Sequence, residues 1–255
     1  MNVIRLDLAY DGTDFHGWAR QPRVRTIQGA LEDALSRLLR ESPRLSVAGR
    51  TDAGVHAEGQ VASFVAPEDL QPDRVQRMLN GLFAPEIVVL RATRAADGFD
   101  ARHSATGREY RYRIETGEIP SPFTARFVWH RPGRLALGSM RHAARLLIGE
   151  HDFASFCRAP EPPASTVRIV RRLTVSVAAD RLEVRASANA FLHQMVRSIV
   201  GTLVAVGERG LEADSMPKIL GARSRDAAGP VAPPHGLALV QVSYGRSPGG
   251  SDRAR

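Results

Sequence analysis

Ile4, Leu6, Leu8 and Tyr10 alternate with Arg5, Asp7 and Ala9, which is the period-two pattern of a half-buried strand. From Ile27 the period lengthens. Ile27, Ala30, Leu31, Ala34, Leu35 and Leu38 trace one face of a helix, and Thr26 stands where its N-cap is needed. Two apolar runs follow, Leu45, Val47 and Ala48, then Val61, Ala62, Phe64 and Val65, and they read as strands flanking a glycine-containing connection. A short helix is expected from Pro72 to Leu79, ended by Gly81, with strands at Ile87 to Leu90 and Tyr110 to Glu115.

The second half repeats this order loosely. Met140, Ala143, Ala144 and Leu147 mark a helix stopped by Gly149, and Leu173 to Val177 and Leu182 to Ala186 read as a hairpin across Ala179-Asp180. Phe191, Met195, Val196, Ile199, Val200, Leu203 and Val204 mark a helix too apolar for a surface, so it is expected between the sheet and a partner surface. Pro217 suits the first turn of a last helix, and Leu237 to Val242 is a closing strand. The pattern predicts an α+β fold: two α/β lobes with mainly antiparallel sheets flanked by helices, and a cleft between them. The expected division is 1–105 for an N-terminal lobe, 106–245 for a C-terminal lobe and 246–255 for a disordered tail. Arg158 to Thr166 and Asp226 to His235 read as Pro-rich loops.

Length and composition change this picture little. A chain of 255 residues can bury a substantial core, and 43% hydrophobic with 24% charged residues is ordinary for a globular protein. No apolar run reaches the roughly 18 residues of a membrane span, and the first residues enter a strand directly, so neither a membrane anchor nor a secretory leader is expected. The single Cys157 excludes an intramolecular disulfide and a cysteine metal cluster, which fits the cytosol. Charge adds more. A net charge of +8 and a pI near 10.7 favour a polyanionic partner. Lys218 is the only lysine among 35 basic residues, however, an imbalance that also fits a G+C-rich genome, and interspersed acids make much of the arginine a solvated surface.

The candidate chemistry lies in Gly49-Arg50-Thr51-Asp52-Ala53-Gly54-Val55-His56, where one carboxylate sits between glycines in the connection of two strands. An Asp in this setting also fits a simple Asx-turn or helix cap. There is no G-x-G-x-x-G, no P-loop and no pair of His at metal-ligand spacing, so no cofactor and no metal is expected. His56 and His193 read as hydrogen-bonded structural residues.

This segment resembles the active-site motif of the TruA family of tRNA pseudouridine synthases. Further blocks stand in that family's order from about residue 3 to 244: Phe15-His16-Gly17-Trp18 with Thr26-Ile27-Gln28, Phe99 to Ala105 with Arg108-Glu109-Tyr110-Arg111-Tyr112, His151 to Phe156, and Asn189 to Arg197. The resemblance implies a pseudouridine synthase fold and isomerisation of uridine at positions 38, 39 and 40 of the tRNA anticodon stem-loop by a homodimer. It implies Asp52 as the essential aspartate and Tyr110 as the ring that stacks on the uracil and takes the C5 proton. Arg197 would pair with the aspartate, and Arg50 would help displace the nucleotide. These roles are physically sensible: a neighbouring guanidinium favours the charged form of a partly buried carboxylate, and an aromatic ring replaces the stacking a flipped base loses. Tyr110 and Tyr112 occupy alternate positions of one strand, so one of them also fits plain core, and Arg197 also fits a side chain snorkelling from an apolar helix.

Ala19, Glu109, Phe83-Ala84-Pro85 and Ser198 depart from the family pattern, and the first two put some RNA contacts in question. Arg20, Arg23 and Arg25 are candidates for phosphate contacts beside the cleft, against a solvated basic tip. Two other functions compete: an RNA-binding or chaperone module without turnover, and a nucleoside N-glycosidic hydrolase.

Overall fold

The side chains of β1 (Asn2–Tyr10) divide cleanly between two environments: Ile4, Leu6, Leu8 and Tyr10 are buried, and the residues between them are half-exposed. Burying each such leucine or isoleucine contributes about 2 kcal/mol, enough to fix the register of the strand. This computed structural model describes residues 2–158, 164–178 and 181–245. Helix α1 (Ile27–Leu39) begins at Thr26, whose hydroxyl accepts a hydrogen bond from the Gly29 amide. Then come β2 (Ser46–Val47), β3 (His56–Ala66), α2 (Pro72–Phe83), β4 (Ile87–Arg94), β5 (Ala105–Glu115) and β6 (Trp129–His130). The remainder is α3 (Leu137–Arg145), β7 (Gly149–Asp152), β8 (Val167–Ala178), β9 (Arg181–Ala188), α4 (Met195–Gly207), α5 (Met216–Ala222) and β10 (Leu237–Tyr244).

Among the described residues, ten strands form one sheet in the order β4-β1-β3-β10-β5-β9-β8-β7, with β2 beside β3 and β6 beside β5. Pairing is antiparallel except for β10 with β3 and β5 with β6, so the expected α+β fold with a mainly antiparallel sheet is observed. β10, from the end of the described chain, lies between β3 and β5. Through it Tyr10, Ala57, Leu239, Tyr110 and Ala186 stand opposite one another, strand by strand, on one face. The other face carries charges, with Glu183 opposite Arg113 and Arg185 opposite Arg111.

Three local expectations need correction. Helix α2 runs through Gly81 to Phe83: Gly81 is exposed with open space beside it, and its helix cost of about 1 kcal/mol is tolerated. Phe191 lies before α4, not in it: Gln194 adopts a left-handed backbone, with φ 61°, that starts the helix only at Met195. Nor does α4 await a partner surface, since the chain covers it itself. The Ala232 amide donates to the Arg197 carbonyl at 3.1 Å and the Gly229 amide to the Thr202 hydroxyl at 3.0 Å. The turn at Ala179-Asp180, the tail 246–255 and the centre of the Pro-rich segment after Arg158 lie outside the described residues.

Candidate active site

The loop bearing Asp52 lies across the sheet face that carries Tyr10 and Tyr110, and the chain's opening block holds it there. The Trp18 amide donates to the Thr51 carbonyl at 3.0 Å, and the Gly54 amide to the Phe15 carbonyl at 3.4 Å. Gly17 passes so close that a Cβ would sit 2.8 Å from the Thr51 carbonyl oxygen, and its φ of +86° already favours glycine. From below, the buried Tyr10 hydroxyl shares a 2.9 Å hydrogen bond with the Thr51 hydroxyl and accepts one from the Gln60 amide at 3.2 Å. Gln60 also donates to the Gly49 carbonyl at 2.7 Å. Burial pushes the Tyr10 phenol up to about 12, against the pull of its bonds to Thr51 and Gln60.

Asp52 stands on this platform with its side chain 24% exposed. The Arg197 Nη1 lies 3.1 Å from Oδ2, and the His193 Nε2 lies 3.4 Å from Oδ1. Arg197 is oriented by a second bond, from its Nε to the Ala232 carbonyl at 2.8 Å, so it faces the carboxylate and does not snorkel to water. Tyr110 is buried, and its hydroxyl lies 3.5 Å from where a Gly49 Cβ would be. The ring meets Phe191 edge-on, with centroids 5.2 Å apart. Burial, helped by the nearby Tyr10 and Asp52, pushes the Tyr110 phenol up, with Arg108 opposing, so it stays protonated. Tyr112 sits on the same face, is fully buried and donates to the Pro233 carbonyl at 2.8 Å, which makes it the core member of the pair.

The structure therefore gathers Asp52, Arg197 and Tyr110. Arg50 is exposed at the rim and makes no hydrogen bond or ion pair with a described residue. His56 is structural: its Nδ1 accepts from the Gly12 amide at 3.0 Å, its Nε2 faces the Arg126 and His235 carbonyls, and burial lowers its pKa. His193 differs from the expectation, because its half-exposed ring reaches Asp52. Glu109 points to the charged face and pairs with Arg172 at 2.5 Å and Arg185 at 3.3 Å, away from Asp52. Ser198 is buried, with a hydroxyl that has no partner among the described residues.

In the first loop, Arg20 pairs with Asp33 and Arg25 forks onto Glu86 while lying over the Phe15 ring, so only Arg23 makes no ion pair with a described residue. A cavity of about 200 Å³ is lined by Asp11, His56, Glu58, Arg111 and Phe127, where Arg111 pairs with Glu58 and the Asp11 carboxylate lies beside the His56 ring. Among the described residues no cluster of three or more His, Cys, Asp or Glu is placed to hold a metal ion, and no helix is long and apolar enough to cross a membrane.

Comparison with known proteins adds a family. The profile of a family described as tRNA pseudouridine synthase matches residues 8–102 and 143–245. The chain is 44% identical over 247 residues to the tRNA pseudouridine synthase A of Mesorhizobium japonicum, covering 96% of this chain and 100% of that protein. It is 47% identical over 250 residues to the namesake from Frankia casuarinae, covering 96% and 90%, and 43% identical over 244 residues to that from Geobacter sulfurreducens, covering 96% and 100%.

Proposed function

This chain belongs to the tRNA pseudouridine synthase family, and we propose that it isomerises uridines 38, 39 and 40 of the tRNA anticodon stem-loop with Asp52 as the nucleophile. The observation that carries this reading is the Asp52 carboxylate, held at the rim of the site between Arg197 and His193 with the Tyr110 phenol on the strand beneath. The reaction breaks the bond from ribose C1′ to uracil N1, turns the base and joins C5 to C1′. C5 loses a proton and N1 gains one, so no redox cofactor enters the balance. A carboxylate can hold the separated fragment as an adduct or stabilise positive charge at the sugar. Tyr110 begins as a neutral phenol, so it takes the C5 proton while passing its own onward, and N1 is the group that needs one. Arg197 fixes the carboxylate, and Arg50, free at the rim, engages the extruded nucleotide.

The remaining parts of the reading follow from the same placement. Residues 1–105 supply the Asp52 loop and 106–245 supply Tyr110, His193 and Arg197, so the site forms where two lobes meet. Ile119 and Phe123 are 86% and 91% exposed in one connecting segment, and a second copy of the chain in a homodimer would bury them. The enzyme works in the cytoplasm, where its tRNA substrate is.

The test is to map pseudouridine on tRNA with and without the protein and with Asp52→Asn. The wild type should form pseudouridine at 38 to 40 and release no free uracil. Asp52→Asn should bind the stem-loop within a few fold and form none. Free uracil would mean a hydrolase, and an RNA that is bound but unchanged would mean a chaperone.

A further inference from the structure

Arg108, two residues before Tyr110 on the same face of β5, has no carboxylate within ion-pair reach among the described residues. It spends its five N–H groups on backbone carbonyls. Nε and Nη2 donate to the Ala48 carbonyl at 3.0 and 2.6 Å. Nη1 donates to Ala105 at 3.2 Å and to Asn189 at 3.0 Å, and Nη2 also donates to Arg102 at 3.3 Å. Burial lowers its pKa, as expected for a guanidinium without an acid beside it.

The carbonyls it grips are not arbitrary. Ala48 is the last residue before Gly49 and the Asp52 loop. Asn189 opens the segment that brings Phe191 against Tyr110 and His193 against Asp52. Gln60 holds the next carbonyl, that of Gly49, from below. One side chain thus joins the two pieces of chain that flank the Tyr110 ring. A guanidinium with no N–H left over has nothing with which to bind a phosphate, so an RNA contact does not explain it.

We propose that Arg108 is a positioning residue for the isomerisation: it sets the spacing between the Asp52 loop and the Asn189–His193 segment, and so the gap in which the uracil is held. The proposal rests on Asp52 and Tyr110 acting as described above. Lysine can satisfy one of these carbonyls but cannot span Ala48 and Asn189, because its donors radiate from a single nitrogen.

The experiment compares wild type, Arg108→Lys, Arg108→Gln and Asp52→Asn on a pre-folded anticodon stem-loop RNA. It measures single-turnover rate, KM and melting temperature, with the rates repeated at a temperature where each variant is fully folded. Arg108→Lys should lose at least tenfold in rate and Arg108→Gln about a hundredfold, both with KM within threefold of wild type and with the loss persisting on cooling. A folded Arg108→Lys within threefold of the wild-type rate would overturn the proposal. So would a defect in KM alone, which means an RNA contact, or a loss that vanishes on cooling, which means a fold contact only. Asp52→Asn separates the two levels. If it stays active, the reading of the site has failed. If it is dead while Arg108→Lys is unimpaired, only the positioning role has failed.

Discussion

Removing the Tyr110 hydroxyl separates chemistry from packing more cleanly than any other single change at this site. The hydroxyl has no hydrogen-bond partner among the described residues, so Tyr110→Phe leaves no buried group unpaired and should alter stability by less than about 1 kcal/mol. The ring is different. It is buried and packs edge-on against Phe191 at 5.2 Å. Tyr110→Leu forfeits that pair and opens space beside it, a loss of about 2–4 kcal/mol. For a chain of this size that corresponds to a drop of roughly 5–15 °C in melting temperature. If the hydroxyl moves the C5 proton, the Phe variant should lose about 10²–10⁴-fold in rate, equivalent to about 3–5 kcal/mol of barrier. Thermal melts, stem-loop affinity and single-turnover rates measured on the same preparations supply the three readouts. Phe should melt like wild type, bind like wild type and turn over slowly, whereas Leu should fail in all three. A Phe variant at the wild-type rate would refute the proton-transfer role and leave only stacking. Full activity in both variants would remove Tyr110 from the chemistry, and Tyr112, tied to Pro233 in the core, could not replace it.

Further expectations follow from the same geometry. The Tyr10 phenol titrates at about 12 in the folded chain, above its ordinary 10.0, so its contribution of about 3 kcal/mol is complete below pH 10 and lost as pH rises through 12. Tyr10→Phe should make the alkaline fall of the denaturant midpoint shallower, and an unchanged slope would show that this phenol is not buried. Gly12→Ala should cost about 1–3 kcal/mol and slow turnover, because its methyl would collide with the Val55 carbonyl at the end of the Asp52 loop; a stable, fully active variant would contradict the close approach. Stem-loop affinity should fall steeply with salt, and Arg23→Gln should reduce the slope by about 1 while Arg25→Gln, whose guanidinium is held by Glu86, should change it less. Equal effects of the two would place both arginines on RNA. Activity should survive exhaustive chelation on pre-folded RNA, and a loss restored by zinc alone would reveal a metal site.

Much of the fold was legible because it is written in local period. Tyr10, Thr26 and the α1 stripe sit where alternation and capping place them. What failed locally were backbone states with no side-chain signal, such as the left-handed Gln194 that moves Phe191 out of α4. What could not be read at all was long-range. Nothing in Leu237 to Tyr244 says that the strand pairs with both His56 and Tyr112, because pairing partners are chosen by the assembled sheet. The site divides in the same way. Asp52, Tyr110, Arg50 and Arg197 came from the resemblance of their motifs, while the Tyr10–Thr51–Gln60 support, the Arg108 bridge and the approach of His193 exist only once distant segments meet. A lone arginine in a strand looks identical whether it faces water or holds four carbonyls.

The place of β10 has a consequence for how the protein is made. Residues 2–188 contain every strand except β10, which fills the position between β3 and β5, and Ala232 just before it orients Arg197 toward Asp52. During synthesis β4-β1-β3 and β5-β9-β8-β7 can form early, but the stretches of β3 and β5 that β2 and β6 leave uncovered must wait unpaired until β10 has left the ribosome. The last strand closes both edges at once, so the sheet and the active site mature in the same late event. A chain interrupted anywhere before β10 should be inert, and its open edges should make it prone to aggregation rather than partly active.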